Sequence, residues 1–191
     1  MAKRTEVVLT GLAGQGLVFA GTILADAIGL YEDKFISQLG FYSANVRTGR
    51  SRSEVVICDE EIDFPAATRP DIVVALTQVE AQSYAPKMRS GGTLIIDSDQ
   101  ESISPPESLS VYSVPLQAVA REKFGEDLLV NLVALGTLAA ICDVVALDSL
   151  ERTVARQFSD SIGERNLEAL KEGYSAGLRA QVVRARTGTG A

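Results

Sequence analysis

Histidine is absent from all 191 residues. This removes the commonest general base and the commonest metal ligand together. A self-sufficient hydrolase or metalloenzyme is therefore not expected, and neither a catalytic residue nor a metal ligand is assigned. Cysteine is scarce: Cys58 and Cys142 stand far apart with no C-x-x-C partner, so no disulfide framework, zinc site or iron–sulfur site is written here. Both read as reduced core residues of a cytoplasmic protein. Positive charge is also in deficit, with 18 Lys and Arg against 25 Asp and Glu, a net charge of −7. Broad binding to nucleic acid or to a membrane surface needs clustered cations and is not expected. Any anion site must be local. The opening MAKRTEVVLTG moves directly into a strand-like run, without an apolar leader or a cleavage site.

What is present is the composition of a folded protein, 46% hydrophobic and 23% charged. The length suits one domain, placed at residues 3–186, with 187–191 as a loose tail. Apolar runs at Val7–Thr10, Lys34–Gln38, Ser53–Cys58, Asp71–Leu76, Thr93–Asp97 and Ser110–Val114 read as strands. Helical patterns fall near Leu17–Leu30 and Val79–Met88, with a loop around 42–52. Continuous apolar strands are covered on both faces, so the expected fold is α/β: a mostly parallel, Rossmann-like sheet flanked by helices. Residues 116–124, 128–146, 148–159 and 163–186 predict a helical C-terminal third, with Asp148 as an N-cap. The stretch Leu128–Ala146 is apolar nearly all round, interrupted only by Asn131, Thr137 and Asp143. Such a helix is buried on all sides, by its own chain or by a partner; a lone membrane span carrying Asn and Asp is poorly supported.

Two features could carry chemistry. In GLAGQG, Gly11, Gly14 and Gly16 follow the first strand and open a helix. The gaps are reversed from the dinucleotide fingerprint, and no Lys with Ser or Thr follows as in a phosphate-binding loop. Ligand contact and plain close packing of turn, helix and sheet both remain open. In NVRTGRSRS, Arg47, Arg50 and Arg52 surround Gly49. Their guanidinium forks suit phosphate or carboxylate oxygens, and the bland alternative is a solvated loop or interface salt bridges. The carboxylates of Asp59, Glu60, Glu61 and Asp63 read as a solvated turn.

Taken together, these segments resemble the gamma subunit, or gamma domain, of the 2-oxoacid:ferredoxin oxidoreductase family, of the pyruvate, 2-oxoglutarate, indolepyruvate and phenylglyoxylate type. That family's strand–G-x-G-G-Q-G–helix opening is similar to Gly11, Gly14, Gln15 and Gly16, with Ala13 replacing one glycine. Its Y-G-x-E-x-R-G-G loop and following strand are similar to Tyr42, Arg47, Gly49 and Ser51–Ile57. Ser43, Asn45 and Thr48 stand where the family commonly has Gly, Glu and Gly. Pro70–Leu76 matches a further strand, Asn131 with Leu135-Gly136 a later helix, and Asn166 with Gly173 the final one. The match spans about residues 5–175.

The resemblance implies one subunit of an enzyme that converts a 2-oxoacid and coenzyme A to acyl-CoA and carbon dioxide. Thiamine diphosphate with Mg2+ and [4Fe-4S] clusters would sit on sibling subunits, and electrons would leave to ferredoxin or another acceptor. This subunit is expected to pack beside its siblings in the cytoplasm, with no membrane or nucleic-acid partner. Gly11, Gly14, Gln15, Gly16, Arg47, Gly49, Arg50 and Arg52 would face the partners and coenzyme A, the substrate. The altered loop points to a specialised member, such as one acting on an aryl 2-oxoacid like phenylglyoxylate, with 2-oxoglutarate and indolepyruvate as the other choices. Two other readings stand beside it: an independent Rossmann-like module holding NAD or flavin, which should carry an acidic residue at the end of its second strand, and a purely structural scaffold subunit.

Overall fold

The computed structural model describes residues 3–42, 49–98, 105–125 and 127–187. Six strands form one sheet in the order β2-β3-β1-β4-β5-β6: β1 Arg4–Leu12, β2 Phe35–Tyr42, β3 Arg50–Cys58, β4 Ile72–Ala75, β5 Thr93–Asp97 and β6 Ser110–Val114. The four strands from β1 to β6 run parallel, as the buried apolar runs predict. Of the other two, β2 points the same way and β3 is reversed: β3 lies antiparallel to β1 on one side and to β2 on the other. The reason is chain length. Only residues 43–49 separate β2 from β3, and a parallel return needs a crossover of a dozen residues or more.

Helix α1 (Leu17–Tyr31) buries Leu17, Ala20, Gly21, Leu24, Ala27 and Ile28 at helical spacing against one face of the sheet. Each Leu or Ile buried there contributes about 2 kcal/mol. Helices α3 (Leu116–Phe124), α4 (Val130–Ile141), α5 (Leu147–Gln157) and α6 (Asp160–Thr187) extend the same layer, sharing a core with Val7, Leu9, Val55, Val74 and Ile95. The opposite face is thinly covered. There α2 (Gln78–Tyr84) and the short 3-10 turn after it pack Ala81, Ala85 and Met88 on Val8, Val73, Leu94 and Ile96. The connection between β3 and β4 is tied down over that face: Glu6 accepts from the Thr68 and Arg69 N–H groups at 2.7 Å each, Glu54 from the Ala67 N–H at 3.1 Å.

The apolar stretch at 128–146 is not one helix. It begins with a 3-10 turn, runs as α4, and breaks where Cys142 turns extended (φ −117°, ψ 130°) before α5 starts. Its own chain covers it, chiefly α6. At the crossing, a Cβ on Gly136 would meet the Tyr174 nitrogen at 2.7 Å, and one on Gly173 would meet the Val133 carbonyl carbon at 2.6 Å. Thr137 Oγ1 donates to the Gly173 carbonyl at 2.8 Å. Among the described residues no helix is long and apolar enough to cross a membrane. Asp148 is not the N-cap of α5; Ala146 holds that position, and Asp148 sits in the first turn paired with Arg152 at 2.9 Å.

Candidate functional site

The sheet has a switch point between β1 and β4. From the carboxyl end of β1 the chain turns into α1 on one face; from that of β4 it turns into α2 on the other. A crevice opens at such a place, and in α/β sheets it is where ligands bind. The glycine turn fills one side of it. Gly14 (φ 93°) and Gly16 (φ 69°) take the left-handed backbone that other residues resist. Gln15 folds its side chain back, so that the Leu12 N–H donates to Gln15 Oε1 at 2.7 Å. Asn131, buried at the start of α4, donates from Nδ2 to the Gly16 carbonyl at 3.4 Å and accepts the Leu132 N–H at 2.9 Å. Any side chain on Gly16 would collide with that amide: a Cβ there meets Asn131 Cγ at 3.2 Å.

The structure brings the two sequence features together. Gly11 pairs with Ser51 and Leu12 with Arg50 across β1 and β3, and the Ala13 N–H donates to the Gly49 carbonyl at 2.8 Å. Arg47 lies outside the described residues. Arg50 and Arg52 belong to β3 rather than to the expected loop. Their side chains project to the thinly covered face, away from α1, because strand residues alternate and Val55 and Ile57 take the α1 side. There they line a cavity of about 300 Å³ with Lys87, Phe41, Tyr42 and Tyr84.

Both arginines are already held. Arg50 Nε lies 2.9 Å from Glu80 Oε1, and the Thr10 hydroxyl donates to Glu80 Oε2 at 2.7 Å. Arg52 Nε lies 3.0 Å from Glu54 Oε1, and its guanidinium covers the Phe41 ring 4.1 Å from the centroid. Burial raises the Tyr84 hydroxyl above its ordinary range, with Arg52 opposing. Sequence reasoning missed Glu80, Thr10 and Tyr84. The pattern Thr77-x-x-Glu80 was the available signal: it marks a helix start, and the Thr77 hydroxyl does accept the Glu80 N–H at 3.3 Å.

Cys58 and Cys142 are free and buried. Burial pushes the Cys142 thiol up to about 12, so it is protonated and a poor nucleophile. Among the described residues no group of three or more His, Cys, Asp or Glu side chains is placed to hold a metal ion. The reading as a dinucleotide module gains nothing from the topology. The antiparallel β3 lies between β1 and the strand that follows α1, so β1 and β2 are not the adjacent pair of a βαβ unit that aligns a ribose-binding carboxylate.

The family model for pyruvate ferredoxin/flavodoxin oxidoreductase matches residues 6–176. The chain belongs to that family. Its gamma-type character follows from the gamma subunit of a keto/oxoacid ferredoxin oxidoreductase from Geobacter sulfurreducens PCA. That structure superposes with a TM-score of 0.82 at 32% identity, covering 93% of this chain and 98% of the other. Subunit KorC of the 2-oxoglutarate synthase of Methanocaldococcus jannaschii is 36% identical over 173 residues, 90% of this chain and 92% of the relative. A longer chain, from the 2-oxoglutarate:ferredoxin oxidoreductase of Magnetococcus marinus, shares the fold at a TM-score of 0.83 and 21% identity, with 92% of the gamma-type chain matching 31% of it.

Proposed function

We propose that this gamma-type subunit docks on the thiamine-binding and cluster-bearing subunits of a coenzyme A-acylating 2-oxoglutarate oxidoreductase, using the carboxyl end of its sheet, and that residues 3–186 act there as one unit. The observation that carries the reading is a collar of exposed apolar side chains around the glycine turn. Leu12, Phe19, Tyr42, Val79 and Leu128 are 37–73% exposed, and all belong to segments that meet at this end of the sheet. Apolar surface gathered in one place marks an interaction site.

Within the assembly, Gly11, Gly14, Gln15 and Gly16 let a partner or substrate approach the backbone closely, while Arg47, Gly49, Arg50 and Arg52 meet the phosphates of coenzyme A. Thiamine diphosphate with Mg2+ supplies the decarboxylation and [4Fe-4S] clusters the electron path, both on sibling subunits, toward ferredoxin or another acceptor. The Methanocaldococcus jannaschii relative is a 2-oxoglutarate synthase subunit, and the Magnetococcus marinus enzyme is described with 2-oxoglutarate, coenzyme A and succinyl-CoA bound. These favour 2-oxoglutarate over an aryl 2-oxoacid, whose support rests on Ser43, Asn45 and Thr48, outside the described residues. Two buried free cysteines fit a cytoplasmic setting.

The test is anaerobic affinity purification of the chain from its host, with copurifying proteins identified by mass spectrometry and the complex assayed on 2-oxoglutarate, pyruvate and phenylglyoxylate. Recovery with both sibling types and reduction of acceptor on 2-oxoglutarate is expected. A chain recovered alone would sink the assembly; activity confined to phenylglyoxylate would reassign the substrate.

A further inference from the structure

The coenzyme A reading leaves Glu80 unexplained. It is a carboxylate 4% exposed, on a seven-residue helix over the thin face of the sheet, and burying such a group is unfavourable unless its oxygens are occupied. One oxygen takes the Thr10 hydroxyl from β1; the other takes Arg50 from β3. The arginine itself stays 62% exposed at the mouth of the cavity. One end of its guanidinium is thus fixed from beneath while the rest faces solvent.

We propose that Glu80 is a positioning residue, which holds Arg50 in the orientation that receives a phosphate group of coenzyme A. The inference rests on the coenzyme A reading and adds how the arginine is aimed. An unanchored arginine on a surface strand loses rotamer freedom when it binds an anion, and that loss weakens binding. Glu80 imposes the order beforehand, and Thr10 keeps Glu80 from swinging. The carboxylate also repels the incoming phosphate. That repulsion is offset by the Arg50 guanidinium 2.9 Å from the carboxylate, so an anion at the mouth meets a neutral pair rather than a bare negative charge, and the positioning effect wins. Arg52 follows the same scheme on a neighbouring register position, braced by Glu54 and the Phe41 ring.

The experiment uses the complex assembled with its sibling subunits. The dissociation constant for coenzyme A is measured by calorimetry without 2-oxoacid, for wild type, Glu80→Gln, Arg50→Gln and the double variant, and the KM for the 2-oxoacid is followed in parallel. Arg50→Gln is expected to weaken coenzyme A binding roughly tenfold, the size of one charge-assisted contact, and Glu80→Gln about fivefold. The double variant should bind no more weakly than Arg50→Gln, with the 2-oxoacid KM unmoved throughout. Thr10→Val loosens Glu80 without changing charge and should weaken binding in the same direction. It also stands in if Glu80→Gln fails to assemble. Unchanged or tighter binding in Glu80→Gln or Thr10→Val, or losses from Glu80→Gln and Arg50→Gln that simply add, would overturn the positioning role while leaving the coenzyme A reading intact. Unchanged binding in Arg50→Gln would remove both.

Discussion

Glu6 gathers more contacts than any sequence pattern announced. Its carboxylate, 2% exposed, takes Arg4 Nε at 3.0 Å along with the Thr68 and Arg69 N–H groups. Burial raises its pKa, but the Arg69 N–H, the Arg4 side chain and the Thr68 N–H together outweigh burial and hold it below the ordinary 4.5. A carboxyl lowered in the folded state binds its proton more readily when unfolded, so its contribution is complete above pH 4.5 and is lost as pH falls through the folded value. Thermal unfolding from pH 7 down to pH 3 should show stability dropping below pH 4.5, with a shallower drop in Glu6→Gln. At neutral pH that variant is expected to lose about 2 kcal/mol, because donors aimed at the carboxylate lose their charged acceptor. Glu6, Glu54 and Glu80 were illegible as a group in the sequence. Each is an ordinary acidic residue whose meaning comes from a partner that only the register of the sheet and the path of the connection at 59–71 bring near.

The crossing of α4 and α6 is an element-scale feature, and there the sequence was more informative. Gly136 and Gly173 stood in the motifs that carried the family resemblance, and the structure supplies their reason: the two helices touch backbone to backbone where a methyl group would strike main-chain atoms. Gly173→Ala must spread the helices or bend them, and is expected to be destabilising by about 3 kcal/mol, read as a lower urea midpoint. The helix propensity of alanine cannot rescue it, since that gain is about 1 kcal/mol. The same scale explains the misplacement of Arg50 and Arg52. Glycines, serines and charges in 42–52 resemble a loop, yet pairing with β1 and β2 draws residues 50–52 into a strand. Their side chains then fall on the face away from α1, separating them from the helix start beside which they lie in the backbone.

At the scale of the whole molecule, one face of the sheet is buried under five helices and the other is thinly dressed, while the carboxyl end carries the apolar collar. If that end is the docking surface, charges placed there should block assembly without unfolding the subunit. Val79→Asp and Leu128→Asp, both at exposed positions, are expected to change the stability of the chain by no more than about 0.5 kcal/mol in thermal unfolding while reducing recovery of sibling subunits roughly tenfold in the copurification. Full recovery with both variants would move the interface elsewhere.

The sequence by itself determined the α/β class, the parallel strands β1, β4, β5 and β6, the helix α1 and the family. Each of these follows from local periodicity or from motifs in order along the chain, and such signals survive without knowing what lies beside what. Only the tertiary structure decided that β3 enters antiparallel between β1 and β2, that the long apolar stretch breaks at Cys142, and that Glu80 stands beneath Arg50. Those depend on register and on contacts between separate elements, such as Arg50 of β3 with Glu80 of α2, and in a sheet a shift of one residue turns every side chain to the other face.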